Sequence, residues 1–509
     1  MTAMNLAYLL SKSAAAYPDH RAIVYGEKTL TFRQLDDRVN QLAAVLKANL
    51  SPGDRVAIFS PNRPEILEVM FAVWKAGLVV VPLNFRLHEN EVLYILNHSD
   101  VAAFFYDGVY QEQVKGMKGN LSASLCICFD QEYENLLGQG KNGVEMAAVN
   151  GDDLAWLFYT SGTTGRPKGA MLTHRNLLLM VLSLCTDLYS FSHSDIGLHA
   201  APLSHGSGLY ALPLIARGGT QVILESSNFK PERVFELIEK HQVSVLPFLA
   251  PTIVKRLTDS VTKKQYKLDS LACILYGGAP MYVEDLKAAI HSFGPIFAQV
   301  YGQGECPMTI TGLSREQHLL ENIEVLSSAG TARTGVEIAI FNPQGNKLPV
   351  GQTGEVAVKG DLVMKGYWND PPATEKAIKN GWLLTGDVGN IDGKGFLYIL
   401  DRTKDMIISG GNNIYPREVE EVLLQHPYID ELSVFGIPDQ EWGEAVCAAI
   451  VIKEGQNLSD LEIKEYCKAH LASYKKPSTI HFVETLPKNA YGKIMKKELR
   501  AHYSKNFSL

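Results

Sequence analysis

The run YTSGTTGRPKGAMLTHRN at residues 159–176 gathers three glycines (Gly162, Gly165, Gly169), four hydroxyls (Thr160, Ser161, Thr163, Thr164) and Lys168. Glycines let backbone N–H groups converge on an anion, hydroxyls add donors, and a lysine adds charge. The loop follows LAWLFY (154–159), a run that reads as a buried strand, and an ordinary Ser/Thr/Gly surface loop does not account for that position. It is therefore read as a phosphate cradle at a strand end. It is not a Walker A loop, because Gly165-Arg-Pro-Lys168-Gly169 lacks the Gly-Lys-Ser/Thr ending, and that disfavours a P-loop kinase.

On the N-terminal side of this loop, helix and strand patterns alternate. TFRQLDDRVNQLAAVLKANL (31–50) carries a helical stripe at Leu35, Val39, Leu42 and Leu46 behind a Thr31 cap. PEILEVMFAVWKAG (64–77) is a helix between Pro64 and Gly77, flanked by the strand runs RVAIF and LVVVPLN. Beyond the loop, QVILES, SVLPFLA and CILYGG repeat the theme. This predicts an α/β fold with parallel sheets covered by helices. From about Gly330 the texture becomes short strands and Gly/Asp/Asn turns, a small antiparallel β subdomain. After Asp401 it changes again, to an α+β pattern. The predicted organisation is a large domain over residues 1–401 and a small mobile domain over 402–509, joined by a short charged hinge near 401–405.

The length of 509 residues already requires more than one domain. With 46% hydrophobic and 20% charged residues, the chain is neither disordered nor collagen-like. A net charge of −7 gives no basic surplus of the kind a general nucleic-acid binder needs. Seven scattered cysteines do not make a disulfide scaffold, and Cys126-Ile-Cys128 has the wrong spacing for a zinc knuckle. The apolar run LLLMVLSLC (177–185) is about half the ~20 residues of a membrane span. The expected setting is the cytoplasm.

YTSGTTGRPKG resembles the signature loop of the adenylate-forming superfamily, and further blocks follow in that family's order: LYGGAP (275–280), YGQGE (301–305), WLLTGDVG (382–389), DRTKDMIISGGNNIYPREVE (401–420) and LPKNAYGKI (486–494). The resemblance is to its acyl-CoA synthetase branch. It implies an enzyme that joins a carboxylic acid to ATP as an acyl-adenylate and then passes the acyl group to CoA, with AMP and pyrophosphate as products. Holding two anions together at the α-phosphorus requires cations and donors. The resemblance assigns Lys493 as the adenylation lysine and makes Glu305, partnered by Thr160, the Mg²⁺ site, which suits a hard cation needing few protein oxygens. The loop Thr160, Ser161, Gly162, Thr163, Thr164, Gly165 and Lys168 would hold phosphates. Tyr301, Gly302 and Gln303 would meet one side of the nucleotide, with Gly278, Ala279 and Pro280 on the other. Asp387 would accept both ribose hydroxyls, Arg402 would donate to the same ribose, and Lys404 falls at the family's hinge.

For the second half-reaction the resemblance implies rotation of the small domain. Gly410 and Gly411 would then wall the pantetheine tunnel, and Trp442 with Lys475 of the Lys475-Lys476 pair would hold the nucleotide end of CoA. The acyl pocket would begin at APLSHGSGLYAL (201–212), with His205 gating or polarising the carboxylate, and be completed by Phe248, Tyr276, Gly277, Val300 and Met308. Gly304 stands where the family usually has threonine, which predicts a lost donor and a wider pocket. The expected acid is a medium-chain fatty acid or an aryl acid. Two alternatives stand beside this reading: loading of a carrier-protein thiol, and a non-catalytic nucleotide-binding homologue. The latter predicts decay of Lys493, Glu305 or Asp387, and all three are present. The expected partners are the small-molecule acid, ATP and CoA, and a homodimer is left open.

Overall fold

A computed structural model describes residues 4–121, 123–160, 166–225, 229–319, 321, 323–488 and 494–504. Two large sheets form the N-terminal part. One has six strands in the order Leu125–Cys128, Val101–Tyr106, Arg55–Phe59, Val79–Leu83, Leu154–Thr160, Lys168–Thr173. Its neighbours run parallel except for the last pair, an antiparallel hairpin that brackets the glycine-rich loop. The other has nine strands: Thr331–Ala332, Cys306–Leu313, Phe297–Gln303, Cys273–Gly277, Val245–Leu249, Ile196–His199, Thr220–Ile223, Arg21–Tyr25 and Lys28–Thr31. Its inner strands are parallel and both edges antiparallel.

The covering helices begin where the sequence marks them. Thr31 and Gln34 form a reciprocal capping box ahead of Phe32–Asn49, and Pro64 occupies the first turn of Pro64–Lys75, where its missing N–H costs nothing. Leu35, Val39 and Leu42 join the fully buried Trp74 and Trp156 in one core, which extends to Leu209 and Leu212 of the helix Gly206–Ala216. The apolar run 177–185 lies inside the helix His174–Asp187. Among the described residues no helix is long and apolar enough to cross a membrane. All seven cysteines are free thiols.

The antiparallel subdomain pairs Val336–Phe341, Gly354–Gly360, Trp382–Ile391 and Ile378–Lys379, with Leu397–Arg402 on the other side of Trp382–Ile391. After the turn 403–406 a fourth sheet begins, in the order Asn412–Ile414, Ile407–Ser409, Gly443–Ile452, Ile429–Asp439, with Thr479–Phe482 parallel to Gly443–Ile452. The helices Pro416–Leu423 and Asp460–His470 supply Val419, Leu423 and Ile463 to a separate core with Ile407, Ile414, Val434 and Ile450. The chain is a mixed α/β protein with a small C-terminal domain.

Candidate active site

Thr160, the Gly278 turn and the Tyr301–Gln303 segment lie at the carboxyl ends of strands in the two large sheets, where open α/β sheets place ligands, and the antiparallel subdomain adds Asp387 and Arg402. The hairpin sets Thr160 opposite Lys168. Ser161, Gly162, Thr163, Thr164 and Gly165 between them lie outside the described residues, as does Lys493. The Thr160 hydroxyl donates to Glu305 Oε1 at 3.4 Å, and the Tyr367 hydroxyl donates to the same oxygen at 2.6 Å. Lys168 Nζ stands 5.2 Å from the centre of the Tyr367 ring. Tyr367 itself is held by an isolated bridge to Ala170. Burial, reinforced by Glu305, lifts the Tyr367 phenol above its ordinary range, so it stays a neutral donor.

Asp387 is the second centre. Its strand partner in register is Arg402, whose Nε lies 3.1 Å from Oδ1. The Tyr301 hydroxyl donates to Oδ2 at 2.6 Å and Gln303 Nε2 donates to the same oxygen at 2.9 Å. Asp387 is only 5% exposed, so this carboxylate is buried but fully compensated. A carboxylate offers about four acceptor positions. Three are taken, and accepting two ribose hydroxyls requires one of these donors to give way. That differs from the open bidentate acceptor the sequence suggested. Gly278, Ala279 and Pro280 form the turn after Cys273–Gly277; Gly278 sits at φ +82°, and a Cβ there would stand 3.3 Å from Phe248 Cζ.

On the acyl side, His205 precedes the helix Gly206–Ala216 and shares a 2.9 Å hydrogen bond between Nδ1 and Ser204 Oγ. Its ring meets Phe158 edge-on at 5.2 Å. Burial pulls the imidazole down to about 4, so at neutral pH it is uncharged and acts as a hydrogen-bonding group, not a cation. Phe248, Val300 and Met308 belong to one apolar cluster with Tyr210, whose ring lies parallel to Phe248 at 5.9 Å. Small residues are required around it. A Cβ on Gly206 would stand 2.6 Å from Met308 Cε, one on Gly277 2.3 Å from the Val300 carbonyl, and one on Gly302 2.3 Å from the Met308 amide.

Two expectations are corrected here. Tyr276 does not line this pocket: side chains alternate along Cys273–Gly277, so Cys273 and Leu275 face the acyl cluster while Ile274 and Tyr276 face the opposite core. The Tyr276 hydroxyl is tied there to His318 Nε2 at 3.0 Å. Nor does Gly304 widen the pocket. A Cβ on it would come 2.5 Å from Thr160 Cγ2 and 2.7 Å from Phe158 Cδ1, so the space of the missing side chain is already filled.

In the C-terminal domain, Gly410 (φ +55°) and Gly411 (φ +78°) form the turn between Ile407–Ser409 and Asn412–Ile414. Trp442 packs on Gly410, where a Cβ would be 2.6 Å from its ring, and its carbonyl accepts from the Gly410 amide at 2.8 Å. The indole is 54% exposed, so it is available to a ligand. Lys475 is engaged elsewhere, in an ion pair with Glu418. Lys404 lies in the turn 403–406, and its carbonyl accepts from Arg500 Nη1 at 2.9 Å.

Residues 10–368 match the family described as AMP-binding enzyme, and residues 418–493 match its C-terminal domain. The chain belongs to the AMP-binding enzyme family. It is 37% identical over 501 residues to feruloyl-CoA synthase of Amycolatopsis sp, covering 97% of this chain and 98% of that one. It is 36% identical over 491 residues to 2-succinylbenzoate–CoA ligase of Bacillus licheniformis, covering 96% and 98%. The structure of ATP-bound MatB from Rhodopseudomonas palustris superposes with a TM-score of 0.91 at 29% identity, covering 99% and 100%. This AMP-binding enzyme is an AMP-forming acid–CoA ligase, and ATP, CoA and a small carboxylic acid fit it as substrates. Sequence reasoning missed Tyr367, Phe158 and Tyr210. The run KGYWND around Tyr367 offered a signal, an aromatic pair inside a polar turn, but the contact with Glu305 spans 62 positions.

Proposed function

We propose that this ligase activates an aryl carboxylic acid, with a medium-chain fatty acid as the competing substrate. What carries the reading is the convergence of Glu305, Thr160 and Tyr367 with Asp387, Tyr301, Gln303 and Arg402 beside an apolar cluster that holds two parallel rings. The flat Tyr210–Phe248 pair suits a ring, and two relatives carry aryl acids in their names.

In the first half-reaction a carboxylate oxygen attacks the α-phosphorus of ATP, the bond to the bridging oxygen breaks, and pyrophosphate leaves. Lys493 offsets the charge shared by the carboxylate and the α-phosphate. Ser161, Gly162, Thr163, Thr164 and Gly165 hold the phosphates with Lys168. Tyr301, Gly278, Ala279 and Pro280 enclose the adenine, while Asp387 and Arg402 fix the ribose. Neutral His205 donates to the acid without drawing an ion pair that would weaken its nucleophilicity.

Glu305 with Thr160 fits a Mg²⁺ ion, because a single buried-side carboxylate and a hydroxyl leave room for water and phosphate oxygens. Bound there, the ion neutralises phosphate charge. In the second half-reaction the CoA thiolate attacks the acyl carbon, the bond to the phosphate oxygen breaks, and AMP leaves. Rotation about Lys404 brings in Gly410 and Gly411, with Trp442 and Lys475 holding the distal end of CoA once Lys475 releases Glu418.

The test is AMP, pyrophosphate and acyl-CoA formation across acids from acetate through octanoate to benzoates and cinnamates. AMP and acyl-CoA in equal amounts, fastest with an aryl acid, are expected. Fastest turnover with octanoate moves the substrate to the fatty class, and ADP as product overturns the mechanism.

A further inference from the structure

Behind the acyl cluster lies a buried cation that the two half-reactions do not use. Arg333 is 2% exposed. Its Nε lies 3.0 Å from Asp187 Oδ2, and Nη1 donates to the Met308 carbonyl at 3.4 Å. Nη2 is enclosed and makes no hydrogen bond of ideal geometry among the described residues, but the Tyr210 hydroxyl stands beside the guanidinium as its polar neighbour. Asp187 cannot easily turn to Nη2, because that carboxylate also accepts from Ser183 Oγ at 3.1 Å, the Thr334 amide at 2.8 Å and Thr334 Oγ1 at 2.6 Å. On that side the guanidinium is paired with the Tyr210 hydroxyl, which carries its polarity toward the Phe248 ring.

The surroundings say which part of the apolar cluster this pair marks. Tyr210, 1% exposed, carries its hydroxyl beside the same guanidinium, and its ring is the one stacked on Phe248. Met308 links the two sides. Its carbonyl faces Arg333, while its side chain abuts Phe248 and the position of Gly206. Met308 holds φ +57°, a conformation that costs an ordinary residue about 1 kcal/mol or more and tends to persist at ligand sites. The Arg333 amide bonds to the Ile310 carbonyl, four residues and so about 13 Å along the strand Cys306–Leu313 from its Glu305 end. Tyr210 lies five residues, about 7.5 Å, along its helix from His205, so the pair stands beyond His205 as seen from the reacting carboxylate.

Charge selects the group that can meet it. Asp187 already offsets the guanidinium, so a second carboxylate would be a buried, unpaired negative charge near Asp187. A phenolic hydroxyl, ether, ketone or amide oxygen meets the Tyr210 hydroxyl, backed by the guanidinium, without that penalty. We propose that Arg333 and Tyr210 form a polar end-stop that selects acids carrying a neutral hydrogen-bond-accepting oxygen at the end far from the carboxylate. This rests on the acid-activating reading above and narrows its substrate.

The test is kcat/KM for AMP formation on matched acids: 4-hydroxycinnamate against cinnamate, 4-hydroxybenzoate against benzoate, 7-oxo-octanoate against octanoate, and terephthalate as a dicarboxylate. The expected result is a preference of about tenfold or more for the oxygen-bearing member of at least one pair, with terephthalate poor. Tyr210→Phe, which keeps the ring, should cut that preference severalfold. Arg333→Met combined with Asp187→Asn removes both charges together and should bring the ratio to about one. The readout is a ratio, so a structural loss shared by both acids does not move it. AMP formation with no preference in any parent pair, an undiminished ratio in the double variant, or terephthalate as best substrate overturns the end-stop while leaving acid activation standing. A panel silent with every acid overturns acid activation, and the end-stop with it.

Discussion

The strand ends around Asp387 and the seam that holds the C-terminal domain are built by opposite means. Asp387 is buried and receives Tyr301, Gln303 and Arg402 from strands that are themselves locked in sheets. The C-terminal domain meets the rest of the chain through separable polar contacts. Tyr282 donates to Glu420 at 2.9 Å, Lys255 lies 3.3 Å from Asp430, and Arg417 donates to the Ile399 carbonyl at 3.0 Å. Lys496 bridges Glu420 at 3.0 Å and Asp401 at 3.5 Å. Glu420 is only 3% exposed, so parting it from Tyr282 costs a buried hydrogen bond, but no hydrophobic cluster of the described residues spans this seam, whereas the strands around Asp387 are held by their own cores. In the proposed cycle the nucleotide site stays with the large domain, and the small domain is the part that presents different groups to it.

The largest expected effect breaks that division from the mobile side. Lys493→Ala should lower acid-dependent pyrophosphate exchange by about 100-fold or more, the scale seen for loss of a charge-stabilising donor. Single-turnover transfer from a supplied acyl-adenylate to CoA should change only a few-fold. Equal losses in both would make the lysine a structural tie between the domains.

Asp387→Ala strikes the fixed side. It strands the Tyr301, Gln303 and Arg402 donors, so AMP affinity measured by calorimetry should fall about 10- to 100-fold. Asp387→Asn, which keeps an acceptor, should lose less. An unchanged affinity would remove Asp387 from the nucleotide site.

Acidification separates the two domains more gently. His174, His199 and His318 are buried in the large domain and His205 is half-buried there, and desolvation pulls each down to about 4. In the unfolded chain they titrate near 6.5, so the unfolded state binds more protons between about pH 6.5 and 4, and stability is lost as pH falls through that window. Each can contribute about 3 kcal/mol when the window is fully crossed. Calorimetry should show the large domain's transition moving down steeply below pH 6.5, with the smaller domain's transition moving less. Parallel shifts of the two would contradict this.

Smallest of all is Tyr282→Phe. It deletes one hydroxyl at the seam, worth about 1–2 kcal/mol to a carboxylate partner, and should speed proteolysis within the turn 403–406 by about tenfold without changing AMP affinity.

Much of this arrangement was legible because local rules and tertiary structure agree. The Thr31–Gln34 capping box, the Pro64 helix start and the turn from parallel to antiparallel texture near Gly330 are all short-range signals. The ordered motifs named Asp387, Arg402, Tyr301 and Gln303, and in the structure the last three meet at the Asp387 carboxylate. Other features depended on partners remote in sequence. Arg333 carried no motif signal, because its ion-pair partner Asp187 lies 146 positions away. The gap at Gly304 is closed by Phe158, from a strand in the other sheet. Tyr276 went to the wrong face because its motif gave its position and only strand alternation gave its direction.

The division between a fixed nucleotide site and a mobile small domain is tested most directly at Lys404. Lys404→Pro fixes φ near −65° and restricts Thr403 as well, so it should hinder rearrangement of the turn between Arg402 and Ile407. Pyrophosphate exchange and single-turnover CoA transfer are to be measured on the same folded variant. The account predicts exchange within a few-fold of the parent and transfer reduced steeply. Transfer at the parental rate, or both steps falling together, would contradict it.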